Sequence, residues 1–271
     1  MTAILGPKTA DPLAPVRSAL AAMGSLPGAP PLNGLAPELT LSDAHGWVPA
    51  TSLVSGRLLT DLIVTAQQRW QASPHAAAAL AWKSYTYWVA LPAVVGYAAA
   101  RRVPLVRPEG VVVRWSSRRP FLTVGLTAVD VAVLPSDPLV VGSTAGAGIR
   151  VVRDDAGLRA ALREALMEQH LAPILEQISA RLRVGQRTLW GSLASGVAHG
   201  VSRAADVVPG SPLQTAEDLL AALGVADLVE VSPRSDGRPG LDVQRRTCCL
   251  AFTLPEPKVC TGCTILGRSA S

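Results

Sequence analysis

The chain has 271 residues, of which 49% are hydrophobic, and its 25 lysines and arginines outnumber its 20 acidic residues, giving a formal net charge of +5. A chain of this length can bury a large core, which excludes a disordered or disulfide-dependent miniature protein. The basic residues are dispersed and no basic helix or aromatic-rich sheet motif accompanies them, so the charge does not indicate a nucleic-acid-binding protein.

The N-terminal region shows no secretory signal, because its first thirty residues contain five prolines and no continuous apolar run. We therefore expect a cytoplasmic protein. The most apolar window, residues 76–100, includes Lys83 and is broken by Pro92. That composition predicts a buried core helix rather than a transmembrane segment, so any contact with the inner membrane face would be peripheral.

Helical periodicity and capping signals mark most of the chain. Ser73 followed by Pro74 is a strong helix start, as is Ser211 followed by Pro212. Proline 92 is expected to end or kink one helix, and Pro173 to kink or divide another. The predicted helices cover residues 15–23, 53–70, 74–101, 154–182, 190–204 and 212–223, with Gly224 closing the last.

Short β-branched runs separated by turn-forming residues occupy the middle of the chain, at residues 111–115, 121–126, 129–134, 139–142 and 149–153. They predict an antiparallel meander of four or five strands. The fold class expected is thus α+β, an antiparallel sheet packed with a mostly helical body. The glycine-rich loop at residues 142–148 lacks a Walker lysine and the dinucleotide-binding order, so it does not indicate a nucleotide site.

All four cysteines fall near the C-terminus with the spacing C-C-x10-C-x2-C, at Cys248, Cys249, Cys260 and Cys263. A structural zinc, disulfides and an iron–sulfur cluster are the alternatives. Cys260 and Cys263 suit a zinc knuckle, but adjacent cysteines in an extended chain point to opposite faces. A [2Fe–2S] cluster spreads four thiolates over two irons, which favours iron without deciding it. Disulfides are disfavoured because no export signal is present.

The cysteines belong to a longer pattern, Arg245-Arg246-x-Cys248-Cys249-Leu250-x-Phe252-x-x-Pro255 followed by Cys260-x-x-Cys263. This pattern resembles the C-terminal signature of the FhuF-type ferric-siderophore reductases. The resemblance implies that the four cysteines ligate a [2Fe–2S] cluster. It also implies one-electron reduction of Fe(III) held by a siderophore, of the hydroxamate type, and a ferredoxin or ferredoxin-reductase-like electron donor.

Three cations flank the cysteines, Arg245, Arg246 and Lys258. Positive charge near a cluster stabilises its reduced form, so these residues are candidates for tuning its potential, although they could equally be solvated charges. The resemblance divides the chain into a FhuF-like siderophore-interacting domain, residues 1–231, and a [2Fe–2S]-binding segment, residues 232–271.

The four histidines show no metal-binding spacing and are expected at the surface or at helix caps; they are His45, His75, His170 and His199. The alternative function is a zinc-stabilised, non-redox accessory or binding protein of siderophore metabolism. The concentrated aromatic residues of the 74–101 helix are either core or a wall of the siderophore pocket: Trp82, Tyr85, Tyr87, Trp88 and Tyr97.

Overall fold

The computed structural model describes residues 11–141, 148–260 and 262–265, so most of the glycine-rich loop lies outside the described residues. The fold is mixed α+β, which confirms the expected class. The helices are α1 (Ala14–Ser25), α2 (Thr51–Val54), α3 (Leu59–Trp70), α4 (Pro74–Ala100), α5 (Pro138–Val141), α6 (Asp155–Leu162), α7 (Ala172–Arg181), α8 (Gln186–Arg203) and α9 (Pro212–Ala222), and a π-helical stretch, Arg163–Leu171, joins α6 to α7. The strands are β1 (Leu35–Thr40), β2 (Val48–Pro49), β3 (Val103–Pro104), β4 (Val111–Trp115), β5 (Leu122–Leu126), β6 (Val131–Val133), β7 (Ile149–Val151), β8 (Val229–Pro233) and β9 (Leu241–Arg245).

Helix α4 lies at the centre of the molecule and packs against α1, α3 and α8. Its side chains are apolar nearly all round, the composition of a helix that is buried on every side. It continues through Pro92 to Ala100, and among the described residues no helix is both long enough and apolar enough to cross a membrane. Trp82, Tyr85 and Tyr97 are fully buried in the core.

The strands form mixed sheets. The prediction of an antiparallel meander is therefore wrong. Strands β4 and β5 do pair antiparallel, but β1 adds to β5 in parallel and β7 adds to β6 in parallel. The run predicted as a strand from Leu139 is helix α5, because the side chain of Asp137 accepts a hydrogen bond from the Leu139 backbone N–H at 2.8 Å. An aspartate cap followed by proline starts a helix.

The predicted helix starts are confirmed by their capping bonds. The Ser73 hydroxyl accepts from the Ala76 N–H at 3.4 Å, and Ser211 accepts from the Gln214 N–H at 3.2 Å. Gly224 follows α9 with φ of +69°, the left-handed conformation that glycine adopts without a steric penalty. The start of α4, one of the two helices that position the site, is therefore encoded by residues next to it in the sequence.

The hairpin of β8 and β9 connects the helical body to the cysteines. It is antiparallel, with Val229 opposite Arg245, and β9 packs against α8. The expected boundary between residues 231 and 232 falls inside β8. The residues after β9 (247–260 and 262–265, here called the cysteine segment) thus extend directly from a strand that is docked on the body.

Candidate metal centre

The vicinal cysteines sit at a sharp change of chain direction just after β9. Leu250 has φ of +63°, a left-handed conformation that is uncommon for a residue with a branched side chain. In this turn the Leu250 N–H donates to Cys248 Sγ at 3.3 Å. The chain therefore turns directly after the vicinal cysteines, and the Leu250 N–H satisfies the Cys248 sulfur within the turn.

The second pair is held against β9 by the backbone. The Arg245 N–H donates to the Gly262 carbonyl at 2.9 Å, and the Cys263 N–H donates to the Cys260 carbonyl at 3.1 Å. Gly262 has φ of +70°, and a Cβ there would lie only 1.9 Å from the Val243 carbonyl oxygen. Only glycine permits this close approach, which brings Cys260 and Cys263 beside the end of β9.

Two of the four sulfurs are paired: Cys249 Sγ and Cys260 Sγ are 3.3 Å apart. Two thiolates bound tetrahedrally to one ion at about 2.3 Å would be about 3.8 Å apart, so this pair needs only a small adjustment to share a metal. Cys249 and Cys263 are buried, and Cys248 and Cys260 are half-buried. Within the described ranges, however, no group of three or more His, Cys, Asp or Glu side chains is arranged to hold a metal ion.

The paired thiols share one proton. A hydrogen bond from the Cys260 thiol, helped by the charges of Lys83 and Arg245, lowers the pKa of Cys249 to about 5 against the opposing effect of burial. The same hydrogen bond and burial raise the pKa of Cys260. At neutral pH the pair therefore carries one negative charge.

Lys83, which the sequence analysis did not connect with the cysteines, reaches the pair from α4. Its Nζ lies 3.3 Å from Cys260 Sγ, although 177 positions separate the two residues. The chain contains only three lysines, and Lys83 is the one charged side chain of the 27-residue helix α4. A lone charge in an otherwise apolar helix was the available signal that this residue has a specific partner.

Of the three flanking cations, only Arg245 is turned into the protein. It is 3% exposed, donates to the Thr247 carbonyl at 3.2 Å and to Ser192 Oγ of α8 at 3.3 Å, and its Nη1 has no hydrogen-bond partner among the described residues. Arg246 is exposed and pairs with Glu230 at 3.4 Å, and Lys258 is exposed.

The surroundings of the cysteines fit an anionic metal–thiolate group. A buried guanidinium without an acidic partner is costly unless a negative charge lies nearby, and no Asp or Glu in the described part of the chain forms an ion pair with Arg245. Thr247 Oγ1 is also buried without a hydrogen-bond partner. Four thiolates around zinc or around a [2Fe–2S] cluster both leave a net negative charge, so this feature supports a metal centre without choosing the metal.

A cleft of about 370 Å³ opens beside Cys260, between α4, α8 and the cysteine segment. Aromatic rings, two lysines and small polar side chains line it, notably Trp70, Lys83, Tyr87, Trp88, Ser195, His199, Lys258 and Cys260. Burial, with the charges of Lys83 and Arg245, lowers the pKa of His199 to about 4, so this imidazole is neutral at pH 7. The lining as described contains no Asp or Glu.

The prediction that the histidines lie at the surface or at helix caps is wrong for His199, which is half-buried within α8, and for His170. His170 is fully buried, with Nδ1 2.6 Å from the Val106 carbonyl and Nε2 2.6 Å from the Tyr85 hydroxyl. Because a carbonyl can only accept, Nδ1 carries the proton and Nε2 accepts from Tyr85. His45 and His75 are exposed as expected.

Comparison with known proteins assigns no family. No protein-family model matches the chain, and no curated protein matches it significantly. The function must therefore be argued from the residues of the site and from the pattern of the cysteine segment.

Proposed function

We propose that the protein is a cytoplasmic ferric-siderophore reductase that holds a [2Fe–2S] cluster on Cys248, Cys249, Cys260 and Cys263. The supporting observation is the Cys249–Cys260 sulfur pair at 3.3 Å, placed beside a buried arginine that lacks an acidic partner and a lysine that contacts one of the sulfurs. The vicinal cysteines and the ten-residue gap match the FhuF-type signature, and they favour a two-iron group over a single ion.

A [2Fe–2S] cluster bound there would supply one-electron transfer from a ferredoxin-like donor protein to siderophore-bound iron. Hydroxamate oxygens hold ferric iron tightly and ferrous iron weakly, so one electron is enough to loosen the chelate. No proton donor or acceptor is needed for that step.

The residues of this chain would set how readily the centre accepts an electron. Lys83 donates to the Cys260 sulfur, Arg245 places a positive charge in the interior, and the Leu250 N–H donates to the Cys248 sulfur. Hydrogen bonds and positive charge at the sulfurs favour the more negative, reduced state and raise the potential. We therefore expect a potential higher than that of a solvent-exposed cluster with the same four ligands.

A zinc-stabilised accessory protein is the alternative function. The turn closed by the Cys263 N–H and the Cys260 carbonyl at 3.1 Å is the kind of knuckle that binds structural zinc. Such a protein would be colourless and redox-inactive, whereas a cluster absorbs visible light. Identifying the bound metal therefore distinguishes the two proposed functions.

Metal analysis of protein purified without oxygen tests the proposal. We expect about two irons and two acid-labile sulfides per chain, with little zinc. Cys249→Ser should abolish the visible absorption and the reduction of a ferric trihydroxamate. A colourless zinc protein, or a Cys249→Ser variant that keeps both properties, would refute the assignment.

A further inference from the structure

The cleft beside Cys260 combines features that no structural role accounts for. It joins an aromatic wall to two lysines, and one of these, Lys83, also contacts the Cys260 sulfur at 3.3 Å. We infer that this cleft is where the ferric chelate binds, with its metal-bound oxygens facing Lys83 and Lys258 and its organic body lying against Tyr87 and Trp88. The inference rests on the proposed reductase function and adds the location and chemistry of the substrate site.

The aromatic wall is preformed. The Tyr87 hydroxyl accepts a hydrogen bond from Arg203 Nη1 at 2.8 Å, and the rings of Tyr87 and Trp88 meet edge to face with centroids 4.8 Å apart. Trp88 lies directly on the backbone of Gly34, since a Cβ at Gly34 would come within 2.0 Å of the indole ring. A rigid aromatic surface of this kind binds an apolar ligand body with little loss of conformational entropy.

The charges of the cleft favour a chelate that binds with its anionic oxygens toward the lysines. Lys83 and Lys258 are the charged side chains of the lining as described, which includes no carboxylate, and His199 is neutral at pH 7. Ammonium groups donate hydrogen bonds to anionic oxygens, and these are the atoms that surround ferric iron in hydroxamate and catecholate chelates alike. A cationic ligand would meet two ammonium groups and no carboxylate in this lining.

The aromatic cluster predicted from the sequence is thus divided between two roles. Trp82, Tyr85 and Tyr97 belong to the core, whereas Tyr87 and Trp88 are half-buried and line the cleft. The cleft volume of about 370 Å³ falls at the lower end of ligand sites, so part of a large chelate would extend into solvent. This accommodates chelates that differ at their periphery but share the oxygen cage.

The test fills the cleft without altering the cysteines. Ser84 lies on α4 in the cleft lining and is half-buried, so Ser84→Trp places an indole in the ligand space. Gln68→Trp, on an exposed position of α3, is the matched control. Titration calorimetry with the redox-inert gallium(III) complexes of a trihydroxamate and a triscatecholate measures binding to the cluster-loaded protein.

We expect Ser84→Trp to weaken binding at least tenfold and to raise KM for the ferric chelate, with an unchanged visible spectrum. Gln68→Trp should bind like the wild type. If Ser84→Trp perturbs folding, Lys258→Glu at the exposed lysine provides a second variant, and it should also weaken binding several-fold. Binding of one gallium complex and not the other identifies which class of chelate the site takes.

The possible failures are distinguishable. Wild-type protein that binds neither gallium complex, or blocked variants that bind and reduce like the wild type, would overturn the substrate site while leaving the reductase function intact. A cluster-loaded wild type that reduces no ferric chelate would instead refute the reductase function, even if gallium chelates bind in the cleft.

Discussion

Gly191 lies where α8 meets the cysteine segment, and replacing it tests whether that contact holds the proposed metal centre in place. A Cβ at Gly191 would be 1.8 Å from Thr247 Oγ1 and 2.7 Å from Thr247 Cβ. Because unstrained contacts begin at about 3.5 Å, Gly191→Ala must displace the Thr247 hydroxyl by about 1.7 Å and the Thr247 Cβ by about 0.8 Å, which disturbs the chain next to Cys248. Over-packing of this size costs about 1–3 kcal/mol, while alanine gains up to about 1 kcal/mol of helix propensity over glycine.

We therefore expect Gly191→Ala to lose about 0–2 kcal/mol of unfolding free energy and to release its metal several-fold faster to a chelator. Gly196→Ala is the matched control on the same helix, because its Cβ would stand 3.5 Å from the Tyr87 Cα, an ordinary contact. That variant should keep its metal and be as stable as the wild type or more so. Urea unfolding followed by circular dichroism and the decay of visible absorption give the two readouts. Equal metal release from the two variants would refute the described contact between α8 and the cysteine segment.

Two further predictions concern buried charge. Arg245→Met should lower metal retention and the reduction potential, whereas Arg246→Met, at the exposed neighbour, should change neither. If spectroelectrochemical titrations showed equal shifts in the reduction potential of the two variants, the assigned burial of Arg245 would be contradicted. Burial lowers the pKa of His170 to about 4. The unfolded chain therefore binds a proton below about pH 6.5 that the folded chain does not, and stability should fall by about 3 kcal/mol as the pH drops from about 6.5 to about 4. In urea unfolding, His170→Asn should reduce this pH-dependent loss of stability, and His75→Asn should not. If His170→Asn left the pH dependence unchanged, that histidine would be excluded as its cause.

The starts of α4 and α9 and the end of α9 were predictable from the sequence because their signals are local. Ser73, Ser211 and Gly224 act through bonds and backbone angles within a few residues, and the structure shows each in its expected place. Strand partners were not predictable in the same way. The parallel pairing of β1 with β5 joins Leu35 to Val124, and no local pattern specifies a contact over that distance.

The cysteines could be found from spacing alone, but the residues that act on them required the fold. Lys83 comes from a helix distant in sequence. The different environments of Arg245 and Arg246 had a signal that the sequence analysis did not use. Along β9, Leu241 and Val243 are buried, whereas Asp242 and Gln244 are exposed. Continuing that alternation places Arg245 inside and Arg246 outside.

The balance of charge around Cys260 explains why a metal–thiolate centre is the best account of this region. Without metal, the cysteine pair carries one negative charge and faces the positive charges of Lys83 and the buried Arg245. One positive charge is then left uncompensated, because the described residues in this part of the fold offer it no carboxylate partner. An uncompensated charge of this kind destabilises a folded protein. A four-thiolate group with net negative charge removes the imbalance. Metal binding and folding of the cysteine segment should therefore be coupled, and apo-protein should be less resistant to proteolysis there than in α4.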